Sequence, residues 1–274
     1  TQSLLAGNDI VLLWSNPRFE TVVPYLLNAV EEGRITQSHL NRSVRRNLEM
    51  KARLGIHENK YVPVEEISSK VATKEHLEKA REIYEKSVVL VKNENELVPL
   101  GDEKIAVLSI NDDEGHPDIG ETFIKEMRSR GNIVSVWSAD PANQVEDFPD
   151  ALKEAQKADV IVIGLFARIM ARRGSAGVVH DQFIKLLHDL ADTTTPVLVV
   201  SFGSPYLISQ FPEVDGYMVC SEPTWEFYGY DKHRPGQVTA AKALFGESDI
   251  TGKLAVTIPD LYPFGHGTKL KKGK

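Results

Sequence analysis

Between residues 104 and 258, short apolar runs alternate with amphipathic segments, and this alternation is the strongest constraint on the fold. The runs IAVLS (105–109), IVSVW (133–137), DVIVIG (159–164), VLVVS (197–201), GYMVC (216–220) and LAVTI (254–258) have the length and β-branched content of buried strands. Helical spacing fills the intervals at 119–130, 150–157, 180–192, 205–210 and 237–245. Apolar strands separated by helices imply βαβ units. The predicted fold is therefore α/β, with a mainly parallel sheet covered on both faces.

The first part of the chain reads differently. Residues 9–14 (DIVLLW) predict a strand, followed by a turn at Asn16-Pro17. Val22, Val23, Leu26, Leu27 and Val30 recur at helical spacing up to Gly33. Thr36 can cap a second helix, in which Leu40, Val44, Leu48 and Ala52 step by four to Gly55. Residues 56–72 are polar and mixed, with Pro63 in the middle, and read as a linker. Thr73 caps a charged helix that leads into the apolar stretch SVVLV (87–91). The expected organisation is thus 1–55, a linker at 56–72, and 73–274. The lysine-rich end, 269–274, reads as a frayed tail.

Composition excludes several classes. The 32 Lys and Arg against 39 Asp and Glu leave a net charge of −7, the wrong sign for coating nucleic acid. The single cysteine, Cys220, rules out an intramolecular disulfide framework and a cysteine-based metal cage. No run approaches the ~18 apolar residues of a membrane span. Thr1 is not an initiator methionine and no signal-peptide pattern follows it, so the first residue reads as a cut. No cofactor motif is present. No glycine-rich phosphate loop follows the run 105–109, and Asp112, Asp113 and Glu114 there would repel a pyrophosphate. Ser201 and Ser204 lack the nucleophile-elbow context, and Ser204 before Pro205 reads as a helix cap. The eight histidines are scattered and suggest no metal set.

Two loops predicted at strand carboxyl ends stand out. Residues 165–179 hold Arg168, Arg172 and Arg173 and no acid. Three guanidinium groups can hold a carboxylate, a phosphate or a sugar hydroxyl, or can salt-bridge to an acidic surface. Residues 221–234 gather Trp225, Phe227, Tyr228 and Tyr230 with Glu222, Glu226 and Asp231. Aromatic faces stack on sugar rings and carboxylates accept hydroxyl hydrogen bonds, but the same residues suit an apolar interface. Trp14 carries the same two readings.

Ala6-Gly7-Asn8-Asp9 before an apolar run, then Glu32-Gly33-Arg34-Ile35, then Ser43-Val44-Arg45-Arg46, and Lys51-Ala52-Arg53-Leu54-Gly55 follow one another in order. Further on come SVVLVKNENELVPL (87–100), residues 158–164, Phe245-Gly246-Glu247 with Thr251-Gly252-Lys253-Leu254, and Tyr262-Pro263-Phe264-Gly265-His266-Gly267. Together these segments resemble glycoside hydrolase family 3, and the Phe-Gly-His-Gly ending resembles its β-N-acetylhexosaminidase branch. The resemblance implies a retaining glycosidase with a (β/α)₈ barrel followed by a flavodoxin-like α/β sandwich. Residues 1–55 would be the C-terminal remnant of the barrel, and 73–274 the sandwich. It also implies an aspartate nucleophile and, in that branch, a histidine–aspartate proton donor, both on barrel loops upstream of Thr1. The glucosidase branch places a glutamate donor on a loop that corresponds best to 165–179, where no carboxylate occurs. The expectation is a chain without its own catalytic pair. It would meet saccharide through Arg168, Arg172, Arg173, Glu222, Trp225, Tyr228 and Trp14. A separately supplied barrel or self-association would cover its apolar N-terminal part. The rival expectation is a non-catalytic saccharide-binding or barrel-packing module.

Overall fold

A computed structural model describes residues 1–12, 19–111, 119–140, 148–167, 179–220, 222 and 234–273. The chain divides into two compact units, Thr1–Val71 and Ala72–Lys274.

The first unit holds α1 (Gln2–Leu5), α2 (Phe19–Glu31), α3 (Gln37–Arg53), a 3₁₀ turn (Val64–Glu66) and α4 (Ile67–Lys70). Thr36 caps α3 as its sequence predicts, its side-chain oxygen accepting the His39 N–H at 3.2 Å. Asp9 docks on α3. Its carboxylate accepts the Ser43 hydroxyl at 2.8 Å and Arg46 Nη1 at 3.2 Å, and these bonds hold it below the usual carboxylate range. Two of the sequence segments singled out above therefore meet in space through one carboxylate. The strand expected at 9–14 does not form over residues 9–12. The first unit has no other strand among its described residues, so this run has nothing to pair with, and Ile10 and Leu12 stay exposed.

The second unit begins with α5 (Lys74–Ser87), capped by Thr73 through the His76 N–H. It continues with β1 (Val89–Asn93), β2 (Lys104–Asn111), α6 (Glu121–Arg128), β3 (Asn132–Ala139), α7 (Phe148–Ala155), β4 (Val160–Phe166), α8 (Asp181–Ala191), β5 (Val197–Ser201), a 3₁₀ helix (Pro205–Gln210), β6 (Gly216–Val219) and α9 (Pro235–Leu244). The sheet order is β1-β6-β5-β4-β2-β3, parallel throughout except that β1 runs antiparallel to β6. Period-two alternation sorts the strand residues onto two faces. Ala106, Leu108, Ile161, Ile163 and Val199 pack against Phe183, Leu187 and Leu190 of α8. Val107, Val160, Val162, Leu198 and Met218 pack against Phe123 and Met127 of α6 and the alanines of α9. Each fully buried Val, Leu, Ile or Phe contributes about 1.5–3 kcal/mol. The α/β sandwich read from the sequence is what the chain forms.

Two expectations fail near the C-terminus. LAVTI (254–258) is not a strand. Leu254 and Ile258 are buried, but the Leu254 N–H donates to His266 O and Ile258 pairs only with Tyr262 in a tight turn. The tail is not frayed through Gly273 either. The Lys272 N–H donates to Asp249 Oδ1 at 2.8 Å, the Gly273 N–H to Gly246 O at 3.0 Å, and Ile250 bridges Leu270. This segment covers the exposed edge of β1. The Gly252 N–H donates to Val88 O, the Thr268 N–H to Leu90 O, and His266 Nε2 to Val91 O. An uncovered edge strand would invite pairing with another chain.

Candidate functional site

Open α/β sheets bind ligands at the carboxyl edge where successive connections leave in opposite directions. Here the reversal lies between β2 and β4. The chain leaves β2 through α6 to β3, then returns past β2 through α7 to β4. Asn111 ends β2 opposite Phe166 at the end of β4, and both are buried. Phe166 stacks on Phe202 with centroids 4.5 Å apart, and Phe202 meets Phe123 edge-on at 5.3 Å. A Cβ on Gly203 would stand 2.5 Å from Ala167 O, so glycine is what lets the β4 and β5 ends approach this closely.

Glu222 follows β6 at the same edge. Of the residues singled out from the sequence, it alone falls among the described ones. Arg168, Arg172, Arg173, Trp225, Tyr228 and Trp14 lie outside them. The Glu222 N–H donates to Phe202 O at 3.2 Å, and its Oε2 accepts the Gln237 N–H at 3.0 Å in the first turn of α9. That N–H also donates to Arg234 O at 3.0 Å in the first turn, and the carboxylate adds a second, capping acceptor from the segment after β6. The fit is close: a Cβ on Gly236 would come within 3.0 Å of Glu222 Cβ and Oε2. Burial pushes the Glu222 carboxyl up to about 7, against the opposing pull of the Arg234 guanidinium and the Gln237 N–H. Arg234 adopts a left-handed backbone, φ 36°, just before Pro235, where proline disfavours the right-handed helical region for its predecessor.

Gln237 escaped the sequence reading. It is 1% exposed, and its side chain joins α9 to the start of α6. Oε1 accepts the Phe123 N–H at 2.8 Å and Nε2 donates to Ile119 O at 2.7 Å. The only local signal was a polar residue on a helix otherwise rich in Ala, Val and Leu.

Ser201, Ser204 and Cys220, at or next to this edge, have structural partners. Ser201 Oγ donates to Ser204 O at 3.1 Å, and Ser204 Oγ accepts the Tyr206 N–H at 3.3 Å, the cap its sequence predicts. Cys220 donates its S–H to Gly236 O at 3.3 Å, and burial pushes its thiol up to about 12, far from a nucleophilic thiolate. Among the described residues, no group of three or more His, Cys, Asp and Glu side chains could hold a metal ion. The described part of this edge therefore offers a carboxyl that can hold a proton near neutral pH or accept a hydroxyl, next to a buried aromatic cluster.

Residues 88–269 match the sequence profile of the glycosyl hydrolase family 3 C-terminal domain. A "beta-N-acetylglucosaminidase/beta-glucosidase" of Cellulomonas fimi is 24% identical over 223 residues, covering 77% of this chain and 38% of that protein. A β-xylosidase of Formosa agariphila is 26% identical over 251 residues, covering 81% of this chain and 33% of that one. The chain thus spans about a third to two-fifths of the length of these relatives. Among solved structures, a β-glucosidase from Listeria innocua in complex with glucose superposes with a TM-score of 0.68 at 22% identity, over 89% of this chain and 40% of that one. A family 3 β-N-acetylglucosaminidase from Paenibacillus gives 0.64 at 22% identity, over 97% and 47%.

Proposed function

The chain belongs to the glycosyl hydrolase family 3 C-terminal domain family, and from that premise we propose that it is the C-terminal portion of a retaining glycoside hydrolase acting on terminal N-acetylhexosamine. The family match over residues 88–269 carries the glycosidase reading. Two features support the N-acetylhexosamine branch. One is the Phe264-Gly265-His266-Gly267 ending with no carboxylate between Leu165 and His180. The other is the relative from Cellulomonas fimi named for N-acetylglucosaminidase activity.

In this reading residues 1–55 close a barrel, 56–72 link, and 73–274 form the sandwich. The nucleophile and proton donor belong to barrel residues outside these 274. A retaining mechanism needs both groups, about 5–5.5 Å apart where both are carboxyls. Glu222, Arg168, Arg172, Arg173, Trp225, Tyr228 and Trp14 would shape the saccharide subsite rather than break bonds. The exposed Ile10, Leu12 and Phe19 would be covered by the barrel, supplied in the same or a separate chain, or by a second copy.

The experiment is hydrolysis of chromogenic N-acetylglucosaminide, glucoside and xyloside, by this chain and by the full-length parent enzyme. The parent is expected to favour the N-acetylglucosaminide, and this chain to give buffer background. In the parent, Arg172→Ala or Trp225→Ala should raise KM more than it lowers kcat. A parent that prefers the glucoside or xyloside overturns the substrate reading. Steady turnover by this chain that Glu222→Gln abolishes overturns the division of labour.

A further inference from the structure

A groove of about 550 Å3 lies between α5, α6 and α9 within the second unit. Each helix contributes one cation to its lining: Arg81, Lys125 and Lys242. Among the described residues none of the three forms an ion pair or a side-chain hydrogen bond, whereas Lys79 and Lys86 on α5 are both paired with Glu82. Two carboxylates share the lining. Glu126 is held by Arg130 at 2.7 Å, which leaves Glu85 alone against three cations. In a chain of net charge −7, such a local excess of positive charge is unusual.

The floor supplies a second, independent observation. Thr239 lines the groove, is 6% exposed, and has no hydrogen-bond partner among the described residues. A helical threonine can bond back to the carbonyl one turn earlier; the Thr239 hydroxyl does not, and it keeps access to the groove, so it is free to bond a ligand oxygen. Leu77, Pro235 and Val238 give the same floor an apolar part.

We infer that this groove binds a phosphomonoester on a ring of monosaccharide size. A phosphomonoester carries close to two negative charges and three acceptor oxygens, which matches three unpaired cations converging from three helices. The volume falls within the range of about 300–1,000 Å3 typical of small-ligand sites, and exceeds what a bare phosphate fills. The apolar floor accepts a ring face, and Thr239 gains a hydroxyl partner.

Isothermal titration of the full chain at low salt tests this with glucose 6-phosphate, inorganic phosphate and glucose. Glucose 6-phosphate is expected to bind more tightly than either fragment. Lys242→Ala or Arg81→Ala should weaken it by about tenfold each, as loss of a charge-assisted bond does. Glu85→Gln should strengthen it, and Thr239→Val should weaken glucose 6-phosphate more than inorganic phosphate. Circular dichroism and thermal melting of each variant should match the parent chain, since the substituted cations are not core residues. Three results would overturn the inference: no binding at millimolar glucose 6-phosphate, binding untouched by Lys242→Ala and Arg81→Ala, or glucose or inorganic phosphate binding as tightly.

Discussion

Replacing Glu222 by Gln removes one titratable group while keeping its shape and an oxygen acceptor for the Gln237 N–H. The Glu222 carboxyl has an ordinary value of 4.5 and sits near about 7 in the fold. Between those values the folded chain holds a proton that the unfolded chain has lost, so stability falls as pH rises through that window. Its contribution is complete below about pH 4.5 and gone above about pH 7. A separation of about 2.5 pH units corresponds to about 3 kcal/mol at about 1.4 kcal/mol per unit. Water reaching the carboxyl makes this an upper bound. Urea unfolding of both proteins, followed by circular dichroism at a series of pH values, measures the difference. The two should coincide near pH 4, where both side chains are neutral. At pH 8 the Gln variant should be the more stable by up to about 3 kcal/mol. Parallel curves across the range, or a Glu222 carboxyl carbon titrating near 4.5 by NMR, would refute the burial argument.

Gln237→Leu leaves the Phe123 N–H and Ile119 carbonyl without partners in a closed interior. At about 1–3 kcal/mol for each unpaired group, the loss should be readable as a lower urea midpoint. Gly203→Ala drives a methyl to 2.5 Å from Ala167 O and should cost about 1–3 kcal/mol through a forced backbone shift, measured by the same unfolding curves. Deleting residues 268–274 removes the Thr268 N–H that bonds Leu90 O and opens the middle of the β1 edge, leaving the Gly252 and His266 bonds on either side of it. Light scattering should then show concentration-dependent association beyond that of the intact chain, and a deletion variant that associates no more than the intact chain would argue against an edge-covering role.

The strands at 105–109, 133–137, 159–164, 197–201 and 216–220 were legible because each is a local apolar run whose neighbours are amphipathic. Thr36, Thr73 and Ser204 were legible as caps because a cap bonds to an N–H only two or three residues away. The run at 254–258 misled for the same reason. Its apolarity is real, since Leu254 and Ile258 are buried, but composition does not say whether a buried residue pairs in a sheet or plugs its end. Residues 269–273 looked dispensable by charge, yet they are held by Asp249 and Gly246.

The sequence by itself determined which segments are apolar, where helices start, and that the second unit is an α/β sandwich, since those properties follow from spacing along the chain. Only the tertiary structure decided that β1 runs antiparallel to β6, that Glu222 caps α9, that Gln237 ties α9 to α6, and that Arg81, Lys125 and Lys242 line one groove. Each of these joins residues separated by 15 to more than a hundred positions. Their chemistry comes from proximity and from exclusion of water, and both arise only when the helices close on the sheet.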